Sequence, residues 1–343
     1  RGDGGRSRRT DRCPAQPGWH CTRHGPTSVG GLDGGRLARA TCAWLERHLR
    51  DHLGTGLESI QFSGGDIGAV FGLHLTDGRD VVLKAFRPGA DLERLRTVVR
   101  AQNALASAGF GCARVLDGPS RTTGVLAVVE QRLTGTSTGS PHAPAARAAM
   151  AAALAVQIDA LRNLDGIALV TGRPAWADWT AGAWPEPHDP VFDFSAPVRG
   201  FRWIDETADA AAEVLRAADD LPHVIGHSDW VWQNVCVRND TFVAAYDWDS
   251  LIYAPEPAVV GLCAGAFTQG SPEPPDAPSA EEVAAFVDDY HHIRPFSPAE
   301  RAVAHAAATW VRCYNARCQL DNHHRRNLAP PPGSFTESLA ASR

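Results

Sequence analysis

An abrupt change in sequence pattern near residue 134 limits the folds open to this 343-residue chain. Before it, short runs typical of β-strands are separated by turn signals such as Asp77-Gly78, which favours a tight hairpin. After the Thr-, Gly-, Ser- and Pro-rich stretch Thr134–Pro144, apolar residues recur at helical spacing over long segments. The pattern therefore predicts an α+β fold with two lobes, a small antiparallel-sheet lobe followed by a larger, mainly helical lobe.

The small lobe is expected over residues 37–133 and the large lobe over residues 134–320. The predicted strands of the small lobe are Leu57–Phe62, Ile67–Leu75, Asp80–Phe86, Ala113–Leu116 and Gly124–Glu130, and its predicted helices are Gly35–Leu53 and Asp91–Ala108. The predicted helices of the large lobe are Ala145–Leu164, Arg202–Ala218, Pro257–Phe267, Ser279–His291 and Pro298–Leu320, and its short strands are His223–Gly226, Val235–Arg238 and Phe242–Tyr246. Residues 1–36, rich in Gly and Arg, are predicted to be a disordered extension, and residues 321–343 a loose tail.

Composition excludes several classes of protein. A hydrophobic content of 44% supports a real core, and a net charge of −6 argues against a general nucleic-acid binder. The uncharged apolar runs are too short to span a bilayer, and the eight cysteines form no C-x-x-C pair. We therefore expect a soluble cytoplasmic protein with reduced thiols and no membrane or nucleic-acid partner, while its oligomeric state stays open.

Lys84 is the only lysine among 33 basic residues. Coding bias against lysine explains the abundance of arginine but not why one lysine survives. Lysine differs from arginine in offering a compact point charge. Because Lys84 lies on the third predicted strand, it can reach the phosphates of a nucleotide held under a neighbouring glycine-containing hairpin.

Two polar loops at strand ends of the large lobe carry the strongest chemical signal. The first contains His227-Ser228-Asp229 with Asn234 five residues after Asp229, and the second contains Asp247-Trp248-Asp249. Phosphoryl transfer to a hydroxyl needs a carboxylate near the acceptor oxygen, and an amide and a second carboxylate to hold Mg²⁺. This spacing supplies all three groups.

The motifs resemble those of the aminoglycoside phosphotransferase and choline kinase-like family, which shares the two-lobed protein-kinase fold. The resemblance covers roughly residues 57–320 and implies ATP as phosphate donor, with GTP also open, and Mg²⁺ as cofactor. It implies that Asp229 is the catalytic carboxylate, that Asn234 and Asp247 hold Mg²⁺, and that Lys84 binds phosphate. His227 is grouped with the catalytic candidates, although a histidine at this position is expected chiefly to support the loop by hydrogen bonding.

The same resemblance assigns a nucleotide-binding role to further residues of the small lobe. The predicted nucleotide-covering loop contains Ser63, Gly64 and Gly65, and the predicted adenine-binding connection between the lobes contains Glu130, Gln131 and Leu133. The family usually pairs its phosphate-binding lysine with a glutamate in the middle of the following helix. That glutamate is missing here, so Lys84 either lacks its usual partner or pairs with Glu93 near the start of the helix.

The acceptor of the phosphate is less well defined by the sequence. Trp230 and Trp232 beside Asp229 are candidates for shaping a substrate pocket, and Asp249 is a candidate second ligand or substrate contact. From residue 251 to residue 300 there are eight acidic residues against one arginine, a pattern that fits either solvated helix faces or a pocket for a cationic acceptor.

These observations favour an ATP-dependent, Mg²⁺-dependent enzyme that transfers the γ-phosphate to a hydroxyl of a small molecule. Aminoglycosides, other antibiotics, amino alcohols and sugars all remain open as acceptors, because a fold does not define a pocket. Two alternatives are a catalytically impaired nucleotide-binding regulator of the same fold and a protein kinase.

Overall fold

A five-stranded antiparallel sheet forms the small lobe of the computed structural model, which describes residues 33–343 apart from 66–67, 181–183, 196 and 326–327. In chain order its strands are β1 (Leu57–Gly64), β2 (Ala69–Leu75), β3 (Asp80–Ala85), β4 (Val115–Thr122) and β5 (Val125–Gln131). The spatial order is β1-β2-β3-β5-β4. Helix α1 (Asp33–Leu53) precedes the sheet, and helix α2 (Leu92–Ser107) connects β3 to β4. The predicted two-lobed α+β fold is confirmed.

Alternation along β3 separates a structural face of the sheet from a functional one. Val81 and Leu83 are fully buried in a small core with Leu45 and Leu49 of α1. Because neighbouring side chains of a strand point to opposite faces, Lys84 lies on the other face. That face is directed at the boundary with the large lobe.

Six helices make up most of the large lobe. They are α3 (Pro144–Ala160), α4 (Arg202–Ala217), α5 (Glu256–Ala266), α6 (Ala280–Ile293), α7 (Pro298–Arg325) and α8 (Phe335–Ala340). Residues Pro257–Ala266 of α5 are all buried, which explains the long apolar run of this segment. Within the described part of the chain, no helix combines the length and the apolar character that crossing a membrane requires.

Four short strands position the polar loops of the large lobe. They are β6 (His223–His227), β7 (Val235–Arg238), β8 (Thr241–Ala245) and β9 (Leu251–Pro255). Antiparallel pairing joins β6 to β9 and β7 to β8. Strand β9 was not among the predicted elements.

Two expectations about the terminal segments change in the described part of the chain. Residues 33–36, predicted to belong to a disordered extension, form the start of helix α1. The other residues of that extension, 1–32, lie outside the described part. The expectation of a loose tail from residue 321 is corrected, since α7 continues to Arg325 and α8 follows. Ser334 caps α8 by accepting the backbone N–H of Glu337, and Phe335 and Leu339 are buried in the main core.

The buried α8 predicts that the end of the chain contributes to stability. Replacing Phe335 with Ala removes a side chain that is 1% exposed, and should lower the free energy of unfolding by about 3–5 kcal/mol. Leu328→Ala is the control, since Leu328 is 57% exposed in the same segment. Urea unfolding of the two variants checks this, and equal midpoints would contradict the packing of α8 on the core.

Candidate active site

His227 holds the two polar loops together. The loops follow β6 and β8, and the ring of His227 lies between them, completely buried. Its Nε2–H donates to the carbonyl of Tyr246 (2.8 Å), and its Nδ1 accepts the backbone N–H of Asp229 (3.2 Å). Burial lowers the pKa of His227 to about 4, so the ring is neutral at physiological pH. This geometry gives His227 a supporting role and no contact with the cavity described below.

Asp229 is held in place by Asn234. The amide Nδ2–H of Asn234 donates to the carboxylate Oδ2 of Asp229 (2.7 Å) and to its backbone carbonyl (3.1 Å). Burial, followed by the negative charge of Asp247, raises the pKa of Asp229 to about 7. A carboxylate that titrates near neutral pH is suited to accepting a proton from a substrate hydroxyl.

Lys84 forms an ion pair across the boundary between the lobes. Its Nζ lies 2.8 Å from Oδ1 of Asp247 and 3.3 Å from Oδ1 of Asp249. Burial alone would lower the pKa of Lys84, but the charges of Asp247, Glu130 and Asp249 raise it well above its usual range. Burial raises the pKa of Asp247, but the charge of Lys84 and the hydrogen bonds with Asp249 and Lys84 together lower it below its usual value. Lys84 and Asp247 are therefore both charged.

The backbone of Asp247 is in an uncommon conformation. Its φ of 62° and ψ of 51° place it in the left-handed region, which non-glycine residues rarely adopt. Ser250 stabilises this turn by donating its hydroxyl to the carbonyl of Asp247 (3.0 Å). Such strained residues persist where surrounding contacts enforce them, and they cluster at functional sites.

Glu93 does not serve as the partner of Lys84, which corrects the sequence expectation. Its carboxylate is exposed and pairs with Arg96 one turn further along α2. The middle of α2 instead presents Gln102, which is 2% exposed and donates to the carboxylate of Glu130 on β5 (2.7 Å). The position of a residue along α2 could not show that the buried carboxylate beside this helix would come from β5.

Of the three residues predicted to form the nucleotide-covering loop between β1 and β2, only Gly65 lines the cavity. Gly65 lines the cavity and has a φ of 113°, and a Cβ at this position would lie 2.2 Å from the carbonyl oxygen of Gly68. Ser63 and Gly64 lie within β1 and do not line the cavity. Asp66 and Ile67 lie outside the described residues.

The predicted adenine-binding residues occupy the end of β5. The Gln131 N–H donates to the carbonyl of Arg114 (2.9 Å), and the Arg132 N–H donates to that of Asp80 (3.2 Å). None of Glu130, Gln131 and Leu133 lines the cavity. Adenine binding by this segment stays a prediction.

A cavity of about 240 Å³ between the lobes brings the site residues together. On the transfer side it is lined by Lys84, Asp229, Asn234, Asp247 and Asp249. The other polar and aromatic lining residues, called the acceptor side below, were not suggested by the sequence; they are Trp176, His188, Gln233, Gln269, Tyr314 and Asn315. Tyr314 and Asn315 lie on the correctly predicted helix α7, but helical periodicity does not show which polar residue faces a cleft.

Trp230 and Trp232 are core residues, contrary to the expectation that they shape the substrate pocket. They are 0% and 5% exposed, and neither lines the cavity. The indole N–H of Trp230 donates to the carbonyl of Met150 on α3 (3.1 Å). Their large apolar surfaces hold the Asp229 loop against the helices.

The acidic residues between 251 and 300 also lie away from the cavity. Glu256 binds Arg294 and Tyr290, Asp289 binds Arg147, and Asp288 binds Arg301. Glu282 completes the N-terminal cap of α6 and binds His142. The pocket for a cationic acceptor that this segment suggested is therefore not formed by it.

The donor set of the site suits Mg²⁺. Asn234 and Asp247 offer oxygen ligands beside Asp229, and oxygen is the ligand atom that Mg²⁺ prefers. Across the described residues, no group of three or more His, Cys, Asp or Glu side chains forms a site that could hold a metal by itself. Mg²⁺ usually takes one or two protein carboxylates and completes its shell with water and substrate phosphates.

The fold and this site together define a two-lobed phosphotransferase of the protein-kinase-like class. The sequence profile of the phosphotransferase enzyme family matches residues 59–296, and the chain belongs to that family. It is a small-molecule kinase. A search of curated protein sequences finds no significant match.

Solved structures show the same fold at low sequence identity. A thermostable mutant of aminoglycoside phosphotransferase APH(4)-Ia is 17% identical, with a TM-score of 0.52 over 87% of this chain and 99% of that one. Macrolide 2′-phosphotransferase MphH from Brachybacterium faecium is 17% identical, with a TM-score of 0.51 over 88% and 97%. Amicoumacin kinase hAmiN is 10% identical, with a TM-score of 0.56 over 90% and 97%.

The raised pKa of Asp229 predicts that this residue costs stability at high pH. Its folded-state pKa of about 7 lies above the value of about 4 for an unfolded Asp, so the folded state binds the proton more tightly. Stability from this group is therefore lost as pH rises from about 4 to about 7. Asp229→Asn should raise the melting temperature more at pH 8 than at pH 5 in magnesium-free buffer.

Asp240→Asn is the matched control for this measurement. Asp240 is exposed at the turn between β7 and β8, so the substitution makes the same change of charge away from the site. A gain from Asp229→Asn that is equal at both pH values would contradict the raised pKa of Asp229.

Proposed function

We propose that this protein transfers the γ-phosphate of ATP to a hydroxyl group of a small molecule in the cytoplasm, with Mg²⁺ as cofactor. The observation that carries the proposal is one cavity lined by a raised-pKa carboxylate, a lysine paired to a second carboxylate, and an asparagine. APH(4)-Ia has been solved with AMP-PNP and hygromycin B, and hAmiN with AMP-PNP, Ca²⁺ and Ami. These complexes support a site for a nucleotide and a small acceptor in the same fold.

Asp229 orients the acceptor hydroxyl and receives its proton. The hydroxyl oxygen forms a bond to the γ-phosphorus, while the bond from that phosphorus to the bridging oxygen of ADP breaks. The bonding electrons leave with ADP, and the hydroxyl proton goes to the Asp229 carboxylate. Asn234 fixes the carboxylate, so that little reorganisation is needed during transfer.

Asn234 and Asp247 would hold Mg²⁺. When bound, the ion neutralises charge on the nucleotide phosphates. The left-handed turn at Asp247, stabilised by Ser250, directs the carboxylate to the cavity. Ser228 strengthens the same support by donating its hydroxyl to the carbonyl of Ser250 (2.7 Å).

Lys84 binds the phosphates of the nucleotide as a compact point charge. Lys84 already lines the cavity beside Asp247. A bound phosphate can therefore form an ion pair with its ammonium group while the contacts with the carboxylates remain. Only 13% of the Lys84 side chain is exposed, so little space surrounds it. Arginine would place a larger, planar group in this space. This explains why lysine is kept here in a chain that otherwise uses arginine.

The segment after Asp247 disfavours a protein kinase. Trp248–Ser250 forms a single turn, and β9 follows at once and pairs with β6 before α5 begins at Glu256. These eight residues all belong to the 3₁₀ turn or to β9, so they offer no long activation segment to receive a peptide. An assay of phosphate transfer from ATP to a generic peptide, run beside transfer to small hydroxylated molecules, tests this alternative directly.

Loss of transfer with retention of fold is expected for three substitutions. Asp229→Asn should lower kcat by about 10²–10⁴-fold, because the proton acceptor is lost. Asp247→Asn and Lys84→Arg should each lower kcat by about 10²–10³-fold, because each removes a group that stabilises the transferring charge. Formation of ADP from Mg·ATP with a panel of hydroxylated acceptors measures the loss, GTP being compared with ATP in the same assay.

Thermal unfolding of each variant separates loss of chemistry from loss of fold. Near-normal turnover by Asp229→Asn would show that the assigned roles are wrong. Nucleotide binding by the unsubstituted protein without any Mg²⁺-dependent hydrolysis or transfer would favour the regulator alternative.

A further inference from the structure

The acceptor side of the cavity contains no Asp, Glu, Lys or Arg among its described lining residues. Among the described lining residues, every Asp, Glu, Lys or Arg belongs to the transfer side, namely Lys84, Asp229, Asp247 and Asp249. We propose, resting on the function proposed above, that the acceptor is the hydroxyl of an uncharged sugar or cyclic polyol ring. A polycationic acceptor would have to desolvate its ammonium groups without charged partners on this side.

An amide pair supplies the groups that recognise hydroxyls. Asn315 on α7 donates its Nδ2–H to Oε1 of Gln269 (3.3 Å). This bond leaves the Nε2 hydrogens of Gln269 as donors and the Oδ1 of Asn315 as an acceptor. A sugar hydroxyl both donates and accepts, so a neighbouring pair of ring hydroxyls complements such an amide pair.

Trp176 supplies an aromatic wall. Its ring lines the cavity and meets the ring of His188 edge-on at 5.6 Å. An indole face packs well against the C–H face of a sugar ring, so this wall suits a ring-shaped acceptor.

The acceptor wall is fixed before any ligand arrives. The hydroxyl of Tyr314 accepts the backbone N–H of His188 (3.2 Å) and lies 2.8 Å from its Nδ1. Trp310 donates its indole N–H to the carbonyl of Trp176 (3.1 Å). Helix α7 thus positions both Trp176 and His188, and a rigid wall of aromatic and polar groups can select a ligand by hydrogen-bond geometry.

A screen with matched neutral and amine-bearing acceptors tests the substrate class. Pairs of glycosides that differ only by replacing one hydroxyl with an amine are assayed with Mg·ATP, and ³¹P NMR identifies the phosphate ester. We expect a higher kcat/KM for the neutral member of each pair. Transfer confined to acceptors with net positive charge, or Mg²⁺-dependent ATP hydrolysis with no transfer to any neutral acceptor, overturns this inference. Absence of ATP hydrolysis as well overturns the proposed function itself.

Two substitutions sharpen the test. Asn315→Asp should shift the ratio of kcat/KM by about tenfold toward the amine-bearing member, because it adds a negative charge to the neutral wall. Asn322→Asp is the control, since it makes the same change two turns along α7 and outside the cavity. Trp176→Phe should raise KM for the acceptor and leave KM for ATP unchanged. An equal shift from both Asn→Asp variants contradicts the inference.

A second inference concerns the partner that Lys84 needs once a nucleotide and Mg²⁺ engage Asp247. We infer that Glu130 is this positioning residue, held in place by Gln102. In the register of β3 and β5, Lys84 faces Val128 and Val82 faces Glu130, so Lys84 and Glu130 are diagonal neighbours on one face. Long side chains reach each other across such a diagonal.

Gln102 is fixed in the position that this role requires. Its Nε2 donates both to Glu130 (2.7 Å) and to the carbonyl of Ala113 (2.9 Å), and both side chains are at least 92% buried. The buried carboxylate of Glu130 is thereby held on the face of the sheet that carries Lys84. The acidic partner proposed for Lys84 therefore lies on β5, and α2 contributes the amide that holds it.

Moving the charge back to the helix tests this role. Glu130→Gln should raise KM for ATP and lower kcat by about tenfold. The double variant Glu130→Gln with Gln102→Glu should recover most of both, because it restores one carboxylate between α2 and Lys84. Wild-type kcat and KM in folded Glu130→Gln, or no recovery in the folded double variant, overturns the inference.

Discussion

The ion pair between Lys84 and Asp247 is the contact on which the site depends. It joins β3 of the small lobe to the loop after β8 of the large lobe, and it balances charge that burial would otherwise suppress. Either group left alone in this place would shift its pKa toward the neutral form. The pair therefore keeps an ammonium and a carboxylate charged at the point where phosphate and metal are expected.

Arg94 ties the same two regions together by a different route. Its buried guanidinium, on the first turn of α2, donates to the carbonyls of Leu251 (2.7 Å) and Asp249 (3.2 Å). Burial lowers its pKa to about 10, which still leaves it charged. Helix α2 thus fixes the loop behind Asp247 through backbone contacts. In this chain the helix supplies no acidic side chain to Lys84, and its contributions are Arg94 and Gln102.

The sequence was informative where the signal is local. Strand alternation and the hairpin at Asp77-Gly78 were enough to predict β2, β3 and the position of Lys84, and the spacing of Asp229, Asn234 and Asp247 indicated one cluster. The partner of Lys84 could not be predicted, because it depends on which strand lies beside β3. The exposure of Trp230 and Trp232 could not be predicted either, because a tryptophan next to a catalytic loop serves the core as readily as a pocket.

The distribution of charge in the cavity follows from the chemistry of Asp229. Burial and the charge of Asp247 already raise its pKa to about 7, which is close to neutral pH. A further carboxylate on the acceptor side would raise that pKa again and deprive the site of its proton acceptor. An acceptor wall of amides and aromatic rings avoids this conflict. The need to keep the pKa of Asp229 from rising further thus accounts both for its function as a base and for the proposed specificity for a neutral ring.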